Sequence, residues 1–158
     1  MPIVFKALET ETVRQLQSGG PDANGQRPEV GVSEGSGVPC RHCLQNVEKG
    51  KRFLTLGHRP FESVHAYAET GPVFLCADAC ERHAESGELP DVVASSPQFI
   101  IRGYTEDERI RYGTGRVVST VDMISACQNM FEDADIAFIH VRSASNNCFY
   151  CRIERCEG

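Results

Sequence analysis

Two close cysteine pairs, Cys40-Arg41-His42-Cys43 and Cys76-Ala77-Asp78-Ala79-Cys80, bound the stretch around which this chain is organised. The residues between them read as strand, turn and strand, because 52–56 and 73–76 are short apolar runs and Gly71-Pro72 is a turn signal. The first pair lies on a loop that leads into the first run. The second pair begins where the second run ends, so both pairs belong to one predicted hairpin region.

The size and charge of the chain exclude some classes of protein. It has 158 residues, enough for one domain of ordinary size, and we expect a single domain over residues 1–158. Lys and Arg total 16 against 22 for Asp and Glu, which gives a net charge of -6. This balance provides no basic surface for a nucleic-acid backbone or an anionic membrane, so we expect neither partner.

The amino-terminal sequence 1–8 is too short, and too soon followed by charged residues, to be a signal peptide. No later run approaches the ~20 apolar residues that a membrane-spanning helix needs. We therefore expect the protein to be cytoplasmic. Because the cytosol keeps thiols reduced, the 8 cysteines are expected to be core residues, metal ligands or reactive centres.

Apolar periodicity and turn signals outline the rest of the chain. Predicted strands cover residues 3–8, 52–56, 73–76, 98–104, 110–118, 136–142 and 148–155, and predicted helices cover residues 10–17, 78–86 and 120–131. The apolar stripe of the last helix comprises Val121, Ile124, Cys127 and Phe131. Together these segments predict an α+β domain, with an antiparallel or mixed sheet of six or seven strands and two or three short helices.

Residues 18–38 differ in composition from the rest of the chain, because glycine, proline and polar residues dominate there. Such a segment buries too little apolar surface to offset the entropy lost on ordering. We therefore predict a flexible Gly/Pro-rich loop at 18–38. One functional hypothesis follows, in which residues 19–37 are an arm that orders on a protein partner and the chain is an interaction module.

Cys40, Cys43, Cys76 and Cys80 form the main candidate site. A structural zinc ion takes four ligands at the corners of a tetrahedron, and two local pairs on turns supply them at little entropic cost. The first pair has the two-residue gap of a zinc knuckle, and the second has a three-residue gap at the end of a predicted strand. This spacing predicts a structural zinc site, in a protein that acts by binding or assembly.

Two alternatives remain open for the same thiols. Reduced cysteines are among the most often buried residues, and packing as small hydrophobic side chains is their commoner role. Alternatively, Asp78 caps the predicted helix 78–86, so that Cys80 lies in its first turn, where the helix dipole stabilises a thiolate. The chain would then be a small thiol-dependent enzyme or redox protein that uses Cys80 or the Cys40/Cys43 pair.

The other cysteines are not expected to bind metal. Cys148 and Cys151 fall on one predicted strand, where residues three apart point to opposite faces and cannot share an ion. Cys127 belongs to the apolar stripe of its helix and is expected in the core. Cys156 lies near the end of the chain and is expected to be a free thiol.

His140 and Arg142 alternate on one face of the predicted strand 136–142. If Arg152 on the returning strand lies on that face, a small basic patch results. Such a patch can hold a carboxylate or a phosphate. A solvated sheet face is the simpler interpretation, and we expect that outcome.

Several of these segments, taken together, are similar to those of a known protein family. Pro39-Cys40-Arg41-His42-Cys43-Leu44, the sequence 67–74, Tyr112-Gly113-Thr114-Gly115, and the pair His140-Val141-Arg142 with 148–152 together resemble a bacterial family known as domain of unknown function 1203. The resemblance covers most of the chain after residue 38. It implies a single small cytoplasmic bacterial domain, and it assigns no activity and no catalytic residue.

Overall fold

In a computed structural model, residues 2–156 form eight strands and three α-helices. The strands are β1 Ile3–Lys6, β2 Glu29–Val32, β3 Arg52–His58, β4 Gly71–Cys76, β5 Gln98–Tyr104, β6 Arg116–Ser119, β7 Phe138–Ser143 and β8 Phe149–Arg155. The helices are α1 Thr10–Gln17, α2 Asp91–Ala94 and α3 Met123–Met130, with a 3-10 turn at Thr120–Asp122. The predicted α+β class is confirmed, with all strand pairs antiparallel and with the strands divided between two sheets.

The chain divides into two compact units. The five-strand unit comprises the residues up to Lys6, residues 65–67 and the residues from Ala84 onward, and its strand order is β1-β8-β7-β5-β6. The three-strand unit comprises residues 7–64 and 68–83, with the order β2-β3-β4. A single domain over 1–158 stays a prediction.

No helix within residues 2–156 is long and apolar enough to cross a membrane.

Alternating apolar residues build the core of the five-strand unit. Phe99 and Ile101 of β5 are buried, as are Cys151 and Ile153 of β8, whereas the residues between them are partly exposed. β7 lies between β8 and β5, and its residues are buried on both faces as far as Arg142. The hairpin of β7 and β8 confirms the predicted carboxy-terminal pair of strands.

The strand predicted over 110–118 is too long. A turn interrupts it, with Gly113 at φ 92°, in the left-handed region that favours glycine. The Thr114 hydroxyl accepts the Gly103 N–H (3.0 Å), so a side chain takes the place of a strand partner at that position of β5. Of the segment 110–119, Arg116–Ser119 forms the strand β6 that pairs with β5.

The buried face of α3 differs from the predicted stripe. Met123, Ala126, Cys127 and Met130 are buried, whereas Val121 is 90% exposed. The buried face is centred on Met123 and Met130, and at 3.6 residues per turn position 121 falls on the opposite side of the helix, towards solvent. Cys127 is in the core, as predicted.

The three-strand unit has β3 at its centre. Leu54 and Leu56 of β3 and Val73 and Leu75 of β4 are buried on one face of this small sheet. On the other face the rings of Phe53 and Phe74 meet edge to face, with centroids 5.4 Å apart. α1 forms as predicted and buries Val13 and Leu16.

Residues 18–38, predicted to be a flexible loop, carry β2 and an anchored turn. The Asp22 carboxylate accepts the N–H groups of Asn24 (2.9 Å), Gln26 (3.0 Å) and Gly57 (2.7 Å). These bonds join the turn to the end of β3. Composition reflects apolar burial and does not reveal a polar anchor of this kind. The flexibility of the segment in solution stays a prediction.

The helix predicted over 78–86 is wrong, because this segment has no helical backbone. In a helix the Asp78 and Cys80 carbonyls would accept N–H groups four residues further on. Here Gln17 Nε2 donates to the Asp78 carbonyl (2.9 Å), and Arg14 Nη2 donates to the Cys80 carbonyl (2.8 Å). Tertiary hydrogen bonds from α1 therefore replace the local ones. The helix-dipole argument for an activated Cys80 thiolate fails with the helix.

Candidate metal centre

The first cysteine pair lies on a tight turn. The Leu44 N–H donates to the Cys40 carbonyl (3.0 Å), and the Cys40 N–H donates to the Gln45 carbonyl (3.0 Å). Leu44 has φ 55°, a left-handed conformation that is uncommon for a leucine. The turn therefore folds back on itself, which lets the thiols of Cys40 and Cys43 approach the same point.

The second pair follows β4 directly. Cys76 is the last residue of β4, and Cys80 lies in the irregular segment beyond it. Cys40 forms a parallel bridge with Phe74, and the Arg41 N–H donates to the Phe74 carbonyl (3.1 Å). The turn of the first pair is thus hydrogen-bonded to the strand that delivers the second.

The four thiols converge. The Sγ atoms of Cys40, Cys43, Cys76 and Cys80 all lie within 4.8 Å of one another. The Cys40–Cys80 and Cys43–Cys76 sulfur separations are both 3.9 Å, far longer than the ~2.05 Å of a disulfide bond. A tetrahedral ion with metal–sulfur bonds of about 2.3 Å has sulfur–sulfur edges of about 3.8 Å. The cluster therefore has the size and composition of a site that can hold a metal ion.

The charge distribution of the cluster favours the thiolate form of Cys40 and Cys43. Cys40 is fully buried, and its sulfur accepts the N–H groups of His42 (3.4 Å) and Cys76 (3.3 Å). Hydrogen bonds from Cys43, Cys76 and Cys80 hold the pKa of Cys40 far below its ordinary value, while Cys40 raises the pKa of Cys76 and of Cys80. Cys40 acts to raise the pKa of Cys43, but hydrogen bonds from Cys76 and Cys80 outweigh this effect and lower it. Ionisation of Cys76 and Cys80 is thus opposed. A divalent cation relieves this opposition, because it stabilises four thiolates together.

The His42 ring links the cluster to α1. Its Nδ1 lies 3.1 Å from Cys80 Sγ, and its Nε2 lies 2.8 Å from Thr10 Oγ1. Burial is the main cause that lowers the pKa of His42, which favours the neutral ring. A neutral ring that donates its Nδ1–H to the sulfur accepts the Thr10 hydroxyl at Nε2. Cysteine spacing does not predict this role of His42, although its position between Cys40 and Cys43 was the available signal.

Two more side chains of α1 hold the second pair in place. Gln17 Nε2 donates to the carbonyls of Cys76 (2.9 Å) and Asp78 (2.9 Å), and Arg14 Nη2 donates to that of Cys80 (2.8 Å). Three carbonyls along the irregular segment are therefore satisfied by one helix. This support fixes the backbone on which Cys80 approaches the other thiols.

Comparison with known proteins agrees with the resemblance noted from the sequence. A sequence model of the family described as "Protein of unknown function (DUF1203)" matches residues 37–155. The chain belongs to this family. The matched segment begins just before Cys40 and contains the whole cysteine cluster. No curated protein and no solved structure shows a significant match.

The other cysteines of the DUF1203 chain lie outside the cluster. Burial raises the pKa of Cys127 to about 12, as expected of a core thiol. Cys151 is fully buried in β8, and Cys148 is half-buried just before that strand. Across residues 2–156, no second group of three or more Cys, His, Asp or Glu side chains has the geometry of a metal site.

The basic patch predicted around His140 is not solvated, so that expectation is wrong. His140 is fully buried and Arg142 is 4% exposed. Arg152 does lie directly opposite His140 in the sheet, and its guanidinium stacks 3.9 Å from the centre of the Phe138 ring. The Tyr104 ring also packs on His140, with centroids 4.6 Å apart. Aromatic neighbours, which strand alternation does not reveal, remove this face from water.

Proposed function

We propose that the chain is a zinc-binding module in which Cys40, Cys43, Cys76 and Cys80 hold one structural zinc ion. The observation that supports it is the approach of all four sulfur atoms to within 4.8 Å of one another. Four thiolates complete the tetrahedral shell that zinc prefers and leave no position for a substrate or a water. The metal therefore serves the fold, and the chain acts by binding or assembly.

The ion would cross-link three pieces of the three-strand unit: the 40–44 turn, the end of β4 and the segment that reaches Cys80. This unit has a sheet of three short strands and one helix of two turns. A small core of this kind commonly needs a metal or a disulfide for stability. In the cytoplasm, where we place the protein, the thiols stay reduced and available to the metal.

Elemental analysis of protein purified without added zinc tests the proposal. We expect one equivalent of zinc per chain, and its loss in Cys40→Ser and Cys76→Ser. Cys156→Ser is the matched control, because Cys156 is exposed and lies outside the cluster, and it should keep the metal. Cobalt substitution should produce the visible absorption of a tetrahedral tetrathiolate site in the unmodified chain and in Cys156→Ser, but not in Cys40→Ser or Cys76→Ser.

Other outcomes contradict the proposal in distinguishable ways. Stoichiometric iron with strong visible colour would mean an iron–thiolate site. A metal-free chain with a readily formed disulfide among these four cysteines would support the thiol or redox alternative. A metal-free chain whose four thiols stay reduced and unreactive would support the alternative in which these cysteines only pack as small hydrophobic side chains.

A further inference from the structure

The three-strand unit contains a cavity that the metal centre does not use. It has a volume of about 920 Å³ and lies between α1, the 20–23 loop and the end of β3. Apolar side chains contribute much of its wall, namely Leu16, Pro21, Ala23 and Leu56. Pockets for small molecules usually have volumes of roughly 300–1,000 Å³ and mostly apolar walls with a few polar groups. The cavity meets both conditions.

Backbone and side-chain hydrogen bonds fix the wall formed by the loop. The Gly20 N–H donates to the Gln15 carbonyl of α1 (2.9 Å), and a Cβ at Gly20 would lie 2.8 Å from that oxygen. At the other end, the Asp22 carboxylate accepts the Gly57 N–H, and the Ala23 N–H donates to the Gly57 carbonyl (3.1 Å). The loop is thus tied to both α1 and β3, so the cavity is formed before any ligand arrives.

Arg59 is the charged residue of the lining with a buried, unpaired nitrogen atom. Within residues 2–156, its Nε atom has no hydrogen-bond partner. The other charged groups differ: Asp22 accepts three N–H groups, Arg14 donates to Gln17 and to a carbonyl, and the exposed Glu11 carboxylate stands at the rim. A shielded guanidinium nitrogen without an acceptor costs free energy, which an anionic ligand would recover.

We propose that this cavity binds a small organic carboxylate, with the carboxylate on Arg59 and an apolar body against Leu16 and Leu56. Arginine suits this role, because its planar fork pairs with a carboxylate through two parallel hydrogen bonds. The apolar walls exclude a fully hydrated inorganic anion from most of the volume. The site lies in the same unit as the cysteine cluster and does not depend on which metal that cluster holds.

A nuclear magnetic resonance titration of the full chain with phenylacetate and with hexanoate tests the site. We expect saturable shifts of the backbone amides at residues 20–23 and 57–59 with at least one of the two. The neutral amide analogue of the same ligand should bind at least tenfold more weakly, because it cannot form the charged pair. Arg59→Gln should weaken carboxylate binding at least tenfold. Arg27→Gln, which removes an exposed arginine outside the lining, should leave it unchanged.

The proposal is overturned if neither carboxylate shifts these amides at millimolar concentration. It is also overturned if the carboxylate and the amide bind equally, or if Arg59→Gln binds as tightly as the unmodified chain. The spectrum of Arg59→Gln outside the cavity shows whether that variant is folded. If Arg59→Gln is not folded, the comparison between carboxylate and amide binding to the unmodified chain tests the proposal by itself.

Discussion

His42 links a sulfur atom of the thiol cluster to a side chain of α1. Its ring lies 3.1 Å from Cys80 Sγ and 2.8 Å from Thr10 Oγ1. Removing an outer contact of this kind commonly costs about 10–100-fold in metal affinity. We therefore expect His42→Asn to bind zinc about tenfold more weakly or worse, measured by competition with a chromophoric chelator.

Two variants control for this change. Thr10→Val removes only the partner that orients the ring, so it should give a smaller loss than His42→Asn. His83→Asn removes a histidine of the same unit whose side chain makes no described contact with the four sulfur atoms, and it should bind zinc normally. Equal affinity in His42→Asn and the unmodified chain would show that the ring does not support the site.

Asp22 gives a prediction about stability and pH. Burial raises the pKa of its carboxyl, but the N–H groups of Gly57, Gln26 and Asn24 outweigh this, and the pKa lies below its ordinary value of 3.8. We expect Asp22→Ala to lower the free energy of unfolding by about 1–2 kcal/mol at neutral pH, because three N–H groups lose their acceptor. Urea denaturation measures this, and Glu34→Ala at an exposed site is the control.

The sign of the pH effect follows from the lowered pKa. The carboxylate contributes its full stabilisation above the unfolded pKa, near 3.8, and loses it as the pH falls through the lower folded value. The difference in stability between Asp22→Ala and the unmodified chain should therefore narrow in strong acid. A difference that stays constant from neutral pH into that range would rule out the charged anchor.

Among the elements, α1 serves as the brace of the second cysteine pair. Gln17 supplies two of its hydrogen bonds, to the carbonyls of Cys76 and Asp78. We expect Gln17→Ala to increase amide hydrogen exchange across residues 76–80, because the irregular segment loses partners that no regular structure replaces. Gln15→Ala, at an exposed position of the same helix, should not. Equal exchange across residues 76–80 in the two variants would show that the Gln17 side chain does not hold this segment in place.

Amide hydrogen exchange of β2 tests the flexibility predicted for residues 18–38. It is an edge strand of four residues, and Val30 and Val32 are 60% and 62% exposed. Few buried contacts hold it, so we expect its amides to exchange faster than those of β3, which is paired on both sides. Protection of β2 equal to that of β3 would contradict a flexible segment.

At the scale of the molecule, the two compact units should respond differently to metal removal. The cysteine cluster belongs to the three-strand unit, whereas the core of Phe99, Ile101, Ile139 and Ile153 belongs to the five-strand unit. With a chelator present, we expect exchange to rise strongly in β3 and β4 and much less in β5, β7 and β8. Cys76→Ser should reproduce this pattern without a chelator. A uniform rise across both units would show that the metal stabilises them as one cooperative block.

The sequence by itself determined the features that depend on local pattern. The α+β class, α1, β5 and the carboxy-terminal hairpin follow from periodicity that each segment carries alone. The grouping of Cys40, Cys43, Cys76 and Cys80 out of eight cysteines also followed from spacing, and the structure brings these four sulfur atoms together. Their binding of a metal stays a prediction.

Only the tertiary structure decided the features that depend on partners distant in sequence. The capping signal at Asp78 predicted a helix. Side chains of α1 instead donate to the backbone carbonyls of Asp78 and Cys80, and no helix forms. The composition of residues 18–38 gave no sign that the Asp22 carboxylate joins its turn to Gly57. Alternation placed His140 on a solvated face, but aromatic rings bury it. Each of these features depends on a contact between residues distant in sequence, which a local pattern cannot reveal. For Asp78, such contacts outweighed a capping preference worth about 1 kcal/mol.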